Sequence, residues 1–405
     1  MIPKILLLLE VLVYLYFAFA TLYLFVFAFA GIFKSKRKNR AHENKKRKMI
    51  VLIPGYREDE VIVDVAKEAL NQDYGTENYE VAIIADGFQP ETIQKLSQLQ
   101  VKVFEVKLEF STKSRALNAA LDQLDDSYHV AVVLDADNVM EPSFLTEINE
   151  AFNAGYQAVQ GHRIAKNMNT PFAILDAVSE EMNNHIFRKG HWNLGFSSSL
   201  IGSAMAFEYH YFKAMMKEVK VVGGFDKELE IRILKERKKI AYLPDAYVYD
   251  EKVPNAKVFT KQRRRWISAQ VHYFGKSFLP AFKELFLHGN LDLFNKALQF
   301  ILLPRILLIS LLFLFSWVSL FVASLVPFRF WITAFALCVL VFLLSIPRYF
   351  YNIKTLWALT RLPLGIFLTF LSVFKLGGND KEFLHTKHTY NAFQIKHHRI
   401  MTRKK

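Results

Sequence analysis

From Ile5 to Phe33 the chain is apolar for 29 residues, interrupted by Glu10 and a few Tyr and Thr. A helix needs about 20 residues to cross the hydrocarbon core of a bilayer, so this run spans it with tilt. It is far longer than the ~7–15-residue apolar core of a cleaved signal peptide, and a dense basic block follows at once. The pattern predicts a transmembrane helix over residues 1–33 and a basic linker over 34–48 on its cytoplasmic side. Beyond it the period changes. Met49–Ile53, Val81–Ala85, Val101–Val106 and Val130–Leu134 are short apolar runs, each closed by polar residues or Gly/Pro, as buried strands are. Glu58–Leu70 and Lys113–Leu124 carry apolar residues at helical spacing between them. Alternating strands and helices predict an α/β domain over 49–255 with a mostly parallel sheet, its ligands gathered at the carboxyl ends of the strands.

The last third returns to membrane patterning. Val258–Leu293 mixes basic, aromatic and aliphatic residues, which predicts interfacial helices over 256–296. Ile306–Val326 and Phe328–Ile346 are each about one span long, giving two transmembrane helices within 297–346. Leu362–Leu376 is short for a span and opens on Pro363, so 347–405 is read as a re-entrant or interfacial helix followed by a basic cytoplasmic tail.

Charge sharpens this layout. The net +14 looks like a nucleic-acid signal until it is placed: residues 34–48 carry +8 and residues 375–405 carry +6. The rest of the chain is neutral, so the excess marks membrane flanks and argues against nucleic acid. The single cysteine, Cys338, excludes an internal disulfide framework. His385 and His388 lie in the basic tail, where solvated histidines are more common than metal ligands.

Candidate chemistry sits in the neutral part. Val132-Val133-Leu134-Asp135-Ala136-Asp137 is a buried strand ending in two carboxylates at i, i+2, which point to one face. Paired hard oxygen ligands suit Mg²⁺ or Mn²⁺, which in turn bind a diphosphate. Taken alone, the pattern is more often an ordinary polar strand end. Val51–Glu58 runs from a strand through a Pro54-Gly55-Tyr56 turn, Ile83–Gly87 delivers Asp86 to the same edge, and Lys113–Asn118 opens a helix with two cations. Gly223-Gly224-Phe225-Asp226-Lys227-Glu228 is an acidic first turn or a general base at a site mouth. Lys261-Gln262-Arg263-Arg264-Arg265-Trp266 sets four cations beside an indole, a pattern suited to phosphate pairing and sugar stacking.

Together these motifs resemble the membrane-bound family-2 glycosyltransferases of GT-A fold, which include cellulose, hyaluronan and poly-N-acetylglucosamine synthases and ceramide glucosyltransferases. The resemblance covers residues 49–270. It implies that Pro54, Tyr56 and Glu58 line a nucleotide pocket with Asp86 near the base or ribose. Lys113 would approach the donor, Asp135 and Asp137 would hold the divalent metal, and Gln262, Arg265 and Trp266 would meet the diphosphate and acceptor sugar. The family commonly has Thr-Glu-Asp at the base; here Gly224-Phe225-Asp226 aligns, so Phe225 replaces the Glu. Asp226 is the candidate base and Glu228 its rival. Ile201–Phe207 resembles the small-residue segment beneath the acceptor, without its second Gly.

The implied activity is inverting transfer of a sugar from a nucleotide sugar, a UDP-sugar above all, to a growing polysaccharide at the cytoplasmic membrane face. A lipid acceptor, and a non-catalytic sugar-nucleotide-binding membrane protein, stand as alternatives. The expected partners are the donor, the polysaccharide or lipid acceptor and membrane lipids.

Overall fold

A computed structural model describes residues 2–35, 45–219, 221, 223–322 and 326–374. Residues 36–44 of the basic linker and the tail from 375 onward, with His385 and His388, lie outside the described residues. Eight strands are described: β1 (Met49–Tyr56), β2 (Tyr79–Asp86), β3 (Lys102–Val106), β4 (Val130–Val133), β5 (Val139–Met140), β6 (Ala158–Ala165), β7 (Met205–Glu208) and β8 (Ile240–Asp250). They form one sheet in the order β3-β2-β1-β4-β7-β6-β8-β5.

The first four strands lie side by side and parallel. β1 shows why its sequence is apolar throughout. Met49, Val51 and Ile53 face one core with Ile62 and Val65, while Ile50 and Leu52 face another with Leu117 and Leu121. A sheet covered on both faces requires apolar residues at both phases of the strand period. The covering helices are Ile62–Ala69 and Lys113–Leu121, each shorter than its apolar periodicity suggests.

The second half of the sheet is mixed. β7 is antiparallel to both β4 and β6, and β5 is antiparallel to β8, while β6 and β8 are parallel. In β8 the register slips: Gly161 pairs with Leu243, but His162 pairs with Tyr247. Pro244 falls in that slip, where its missing N–H costs no ladder bond.

The N-terminal helix Ile2–Ile32 contains a stretch, Leu7–Ile32, long and apolar enough to cross a membrane, and so is Phe328–Ser345. The two pack on each other through Phe17, Leu24, Trp331 and Val341. Leu8, Leu12, Leu15, Phe19 and Leu22 are exposed along the first helix, as lipid-facing residues are. The expected span at Ile306–Val326 is not one helix. Its helix is Arg305–Val318, 14 residues, which reaches only about 21 Å and ends in a turn. Ile353–Leu359 and Leu362–Val373 form an apolar pair bent by 48°, which is either a broken span or a re-entrant loop.

The interfacial segment is a 33-residue helix, Ala256–His288, closed by Gly289 in the left-handed region at φ 66°. Val271, Leu279, Phe286 and Leu287 are exposed along it.

The N-terminal helix is keyed to the α/β domain through a π-helical turn, Asn184–Gly190. His191 stacks on Phe27 with ring centroids 3.6 Å apart. A Cβ on Gly190 would lie 2.0 Å from the Phe27 carbonyl oxygen. Gly190→Ala is therefore expected to cost about 1–3 kcal/mol by overpacking. Thermal unfolding in detergent checks this, with Gly275→Ala as the control: its Cβ meets nothing within 4 Å, so stability there should hold or rise slightly.

Candidate active site

The site begins where β4 stops. Asp135 and Asp137 follow its last residue, and Asp250 ends β8. One oxygen from each of the three carboxylates can lie within 4.8 Å of the others. Three hard oxygen donors converging on one point match the chemistry of Mg²⁺ or Mn²⁺. Asp137 is buried, and its Oδ2 accepts from the Glu251 backbone N–H at 2.7 Å. Asn138 donates to both Asp137 (3.3 Å) and Asp250 (3.2 Å), which ties the two strand ends together.

Cations surround this triad. Lys113, the first residue of its helix, places Nζ 2.5 Å from Asp135 Oδ1 and donates to the carbonyls of Leu134 (3.0 Å) and Gly202 (2.7 Å). Arg163 lies 3.7 Å from Asp135, 3.5 Å from Asp250 and 3.1 Å from Glu180. Lys252 is 2.7 Å from Asp250. Asp135, Asp137 and Lys113 stand out in the sequence, whereas Asp250, Arg163, Glu180 and Lys252, which join them here, do not. A signal existed in Val248-Tyr249-Asp250-Glu251, another apolar strand ending in carboxylates, but Pro244-Asp245 reads as a turn that breaks the strand.

Pro54 and Tyr56 end β1, and Asp86 ends β2 beside them. The Arg57 N–H donates to the Asp86 carbonyl at 3.0 Å, closing that edge, and Glu58 is buried next to it. Burial pushes the Asp86 carboxyl above its ordinary value, against the pull of Ser111 and Arg57. This corner is the topological switch of the sheet, since β1 sits between β2 on one side and β4 on the other.

Asp226 is in the first turn of the helix Phe225–Lys235, entered through Gly224 at φ 69°. Its carboxylate is 3.8 Å from Lys227 Nζ. Phe225 presents its ring to Lys113 Nζ at 5.5 Å, so the residue that departs from the family pattern packs against the cation that holds Asp135. Glu228 is not brought to the cavity: its carboxylate is taken by Lys276 at 2.7 Å and Arg232 at 3.1 Å. Burial opposes its charge, but those two cations outweigh it and hold the carboxyl below its ordinary value. Gln262, Arg265 and Trp266 lie on the Ala256–His288 helix, and the Gln262 Oε1 is buried with no hydrogen-bond partner among the described residues.

A single cavity of about 1290 Å³ is lined by Pro54, Tyr56, Glu58, Asp86, Lys113, Asp135, Asp137 and Asp250 at one end. Asp226, Gln262, Arg265 and Trp266 line it too, and its far end reaches Ile306, Ile309, Phe342 and Leu362 of the apolar helices.

The model of the family described as "Glycosyltransferase like family 2" matches residues 47–269. The chain belongs to that family. It is a glycosyltransferase, and its mixed sheet is the GT-A architecture. No curated protein matches the sequence. Among solved structures, a mannosyltransferase from Pyrobaculum calidifontis, in complex with GDP-Man and Mn²⁺, is 16% identical. Its TM-score is 0.47 over 84% of this chain and 99% of that one. Glucosyl-3-phosphoglycerate synthase from Mycobacterium tuberculosis, in complex with Mn²⁺, UDP and glucosyl-3-phosphoglycerate, is also 16% identical. Its TM-score is 0.38 over 55% of this chain and 78% of that one.

Beneath the glycosyltransferase site, Glu180 is clamped by Arg163 at 3.1 Å and Arg188 at 3.2 Å. Burial opposes its ionisation, but the two guanidiniums outweigh it and hold the folded pKa far below the ordinary 4.5. A depressed carboxyl stabilises fully above its unfolded pKa and loses that contribution as pH falls. Thermal stability is expected to drop from about pH 5 downward. In Glu180→Gln the acid-side slope should flatten, with about 3–5 kcal/mol lost at neutral pH. Melting curves of both proteins across that range check it; an unchanged slope in the variant contradicts the assignment.

Proposed function

We propose that this glycosyltransferase inverts the anomeric centre as it moves a sugar from a nucleotide sugar to a lipid-anchored acceptor at the cytoplasmic membrane surface. The observation that carries this reading is the single cavity shared by the Asp135–Asp137–Asp250 triad, Asp226 and the apolar helices.

Pro54, Tyr56, Glu58 and Asp86 hold the nucleoside, with Lys113, Gln262 and Arg265 around the diphosphate and Trp266 beneath the acceptor. Asp135, Asp137 and Asp250 hold Mg²⁺ or Mn²⁺, which neutralises the charge growing on the leaving diphosphate when bound. Asp226 takes the proton of the acceptor hydroxyl as its oxygen bonds to the anomeric carbon. The bond to the diphosphate breaks, and its electron pair leaves with the nucleotide. The buried Gln262 Oε1 supports a ligand role, since an unpartnered acceptor in a closed site costs about 1–3 kcal/mol until a hydroxyl or N–H reaches it.

The motifs are shared by polymer-making synthases and lipid glucosyltransferases, so they do not decide the acceptor. The far end of the cavity favours a lipid, because Ile306, Ile309, Phe342 and Leu362 offer an apolar path from the reacting centre to the bilayer. The basic flanks support placing the α/β domain on the cytoplasmic side.

Purified protein with UDP- and GDP-sugars, Mn²⁺ and membranes is expected to turn over one donor and give a single glycolipid. A ladder of long chains would return the acceptor to a polysaccharide, and no turnover with any donor would overturn the reading. Asp226→Asn is expected to lose about 10²–10⁴-fold in turnover while keeping nucleotide binding; near-native turnover would remove Asp226 as the base.

A further inference from the structure

Just before β7 the cavity is lined by Ser199, Leu200, Ile201 and Gly202, a stretch that belongs to no helix or strand. It faces Asp226: a Cβ built on Gly202 would lie 4.0 Å from the Asp226 Cβ and Cγ. Backbone outside a helix or a ladder must find its partners elsewhere. Here side chains from other elements supply them. The Leu200 N–H donates to Glu230 Oε2 at 3.3 Å, the Ile201 N–H donates to Gln160 Oε1 at 3.1 Å, and the Gly202 carbonyl accepts from Lys113.

Lys296, on the Leu291–Gln299 helix, is a buried cation that the transfer step does not use. Its Nζ is 2.8 Å from Glu230 Oε1 and donates to Ser199 Oγ and Gln299 Oε1, both at 3.2 Å. An ammonium has three N–H donors, and these three acceptors occupy them all. Lys296 lines the cavity, yet it holds its neighbours rather than reaching for a ligand. The Leu291–Gln299 helix is itself tied to the N-terminal helix, where Tyr23 donates to Asn295 Oδ1 at 2.7 Å.

Glu230 lies one helical turn beyond Asp226 on the Phe225–Lys235 helix. That helix starts at Gly224 without a side-chain cap. Leu229 and Ile233 pack it into the core, and the Glu230–Lys296 pair fixes its rotation near the end that carries Asp226. Burial pushes the Glu230 carboxyl up and draws the Lys296 ammonium down, each against the pull of the other. A pair buried this deeply adds little net stability over apolar side chains of the same volume. What it adds is geometry, from the cavity-lining backbone to the helix of the proposed base.

We propose that Lys296 is a positioning residue for the transfer: through Glu230 and Ser199 it locks residues 199–202 to the helix bearing Asp226, and so sets the distance between the acceptor hydroxyl and its base. The proposal rests on the reading of Asp226 as the base; the lock itself does not.

The test uses the full chain in detergent as the parent, Lys296→Met, Ser199→Ala and the double variant Glu230→Gln with Lys296→Met. Hydrogen exchange reads the lock. In both Lys296 variants the amides of residues 199–202 and 225–230 are expected to exchange at least about tenfold faster, with those of β1 unchanged. Parent-like exchange in those segments would overturn the proposal whether or not any donor turns over. Lys296→Met is expected to melt lower, because it strands a buried carboxylate, and the double variant to melt close to the parent. Turnover, measured with UDP- and GDP-sugars, Mn²⁺ and membranes, is nonetheless expected to fall about 10–10²-fold in the double variant. Its affinity for UDP with Mn²⁺ should stay within about twofold, since the lock acts on the acceptor side. A double variant that melts and turns over like the parent would reduce the pair to a stability role and overturn the proposal. Lost affinity for UDP that accounts for the lost turnover would move Lys296 to the donor site and overturn it equally. Ser199→Ala keeps the ion pair and removes one link, with an expected loss in turnover of about threefold to tenfold. If the Lys296 variants do not fold, parent-like exchange and turnover in Ser199→Ala would overturn the lock. Faster exchange in a protein whose parent turns over no donor would overturn the reading of the reaction and leave the lock standing.

Discussion

Three carboxylates brought within 4.8 Å of one another repel, and the architecture is arranged around that repulsion. At an effective dielectric near 20, each pair at this distance costs about 3 kcal/mol. Lys113, Arg163 and Lys252 offset the cost, each against Asp135 or Asp250. These cations come from three separate places in the chain, so the charge balance exists only when the parallel half of the sheet and its mixed half are closed against each other. Asn138 adds the hydrogen bonds that fix the spacing. A site built this way presents oxygen ligands that are already aimed, which is what a divalent ion and a diphosphate need.

The apolar helices extend the same construction. Glu180 receives Arg163 from β6 and Arg188 from the π-helical turn, against which the N-terminal helix also packs. The close approach of Gly190 to Phe27 and the stacking of His191 on the same residue seat the N-terminal helix against that turn, whose Phe187 and Arg188 line the cavity. A π-turn inserts one extra residue into a helix, and such insertions recur at functional sites. Here Arg188 lies buried against Glu180 while Gly190 meets the N-terminal helix. The apolar end of the cavity and its polar end are thus parts of one packed body.

The parallel half of the sheet was legible because covered strands must be apolar at both phases, as β1 is over Met49–Ile53, β2 over Val81–Ala85 and β4 throughout. The carboxyl-end motifs were legible for the same reason: Tyr56, Asp86 and Asp135 each follow an unmistakable apolar run. β8 was not, because Pro244 and Asp245 imitate a turn when they in fact occupy a register slip. With β8 went Asp250, and with β6 went Arg163, whose partners lie 28, 17 and 87 positions away in the chain. Charge pairing at that separation has no local pattern. Glu228 and Asp226 look alike in sequence, and only the positions of Lys276 and Arg232 separate a paired carboxylate from one that faces the cavity. The run at 306–326 has the length of a span, but composition does not reveal where a helix ends.

The proposed ligand set is Asp250 with Asp135 and Asp137, holding a divalent ion that binds the nucleotide. Calorimetric titration of UDP into the full chain, with Mn²⁺ and then with chelator, tests it directly in the parent and in Asp250→Asn. UDP binding that requires Mn²⁺ in the parent and weakens at least about tenfold in the variant is the predicted result. Equal UDP affinity with and without Mn²⁺, or a variant that binds the Mn²⁺–UDP pair like the parent, would contradict it.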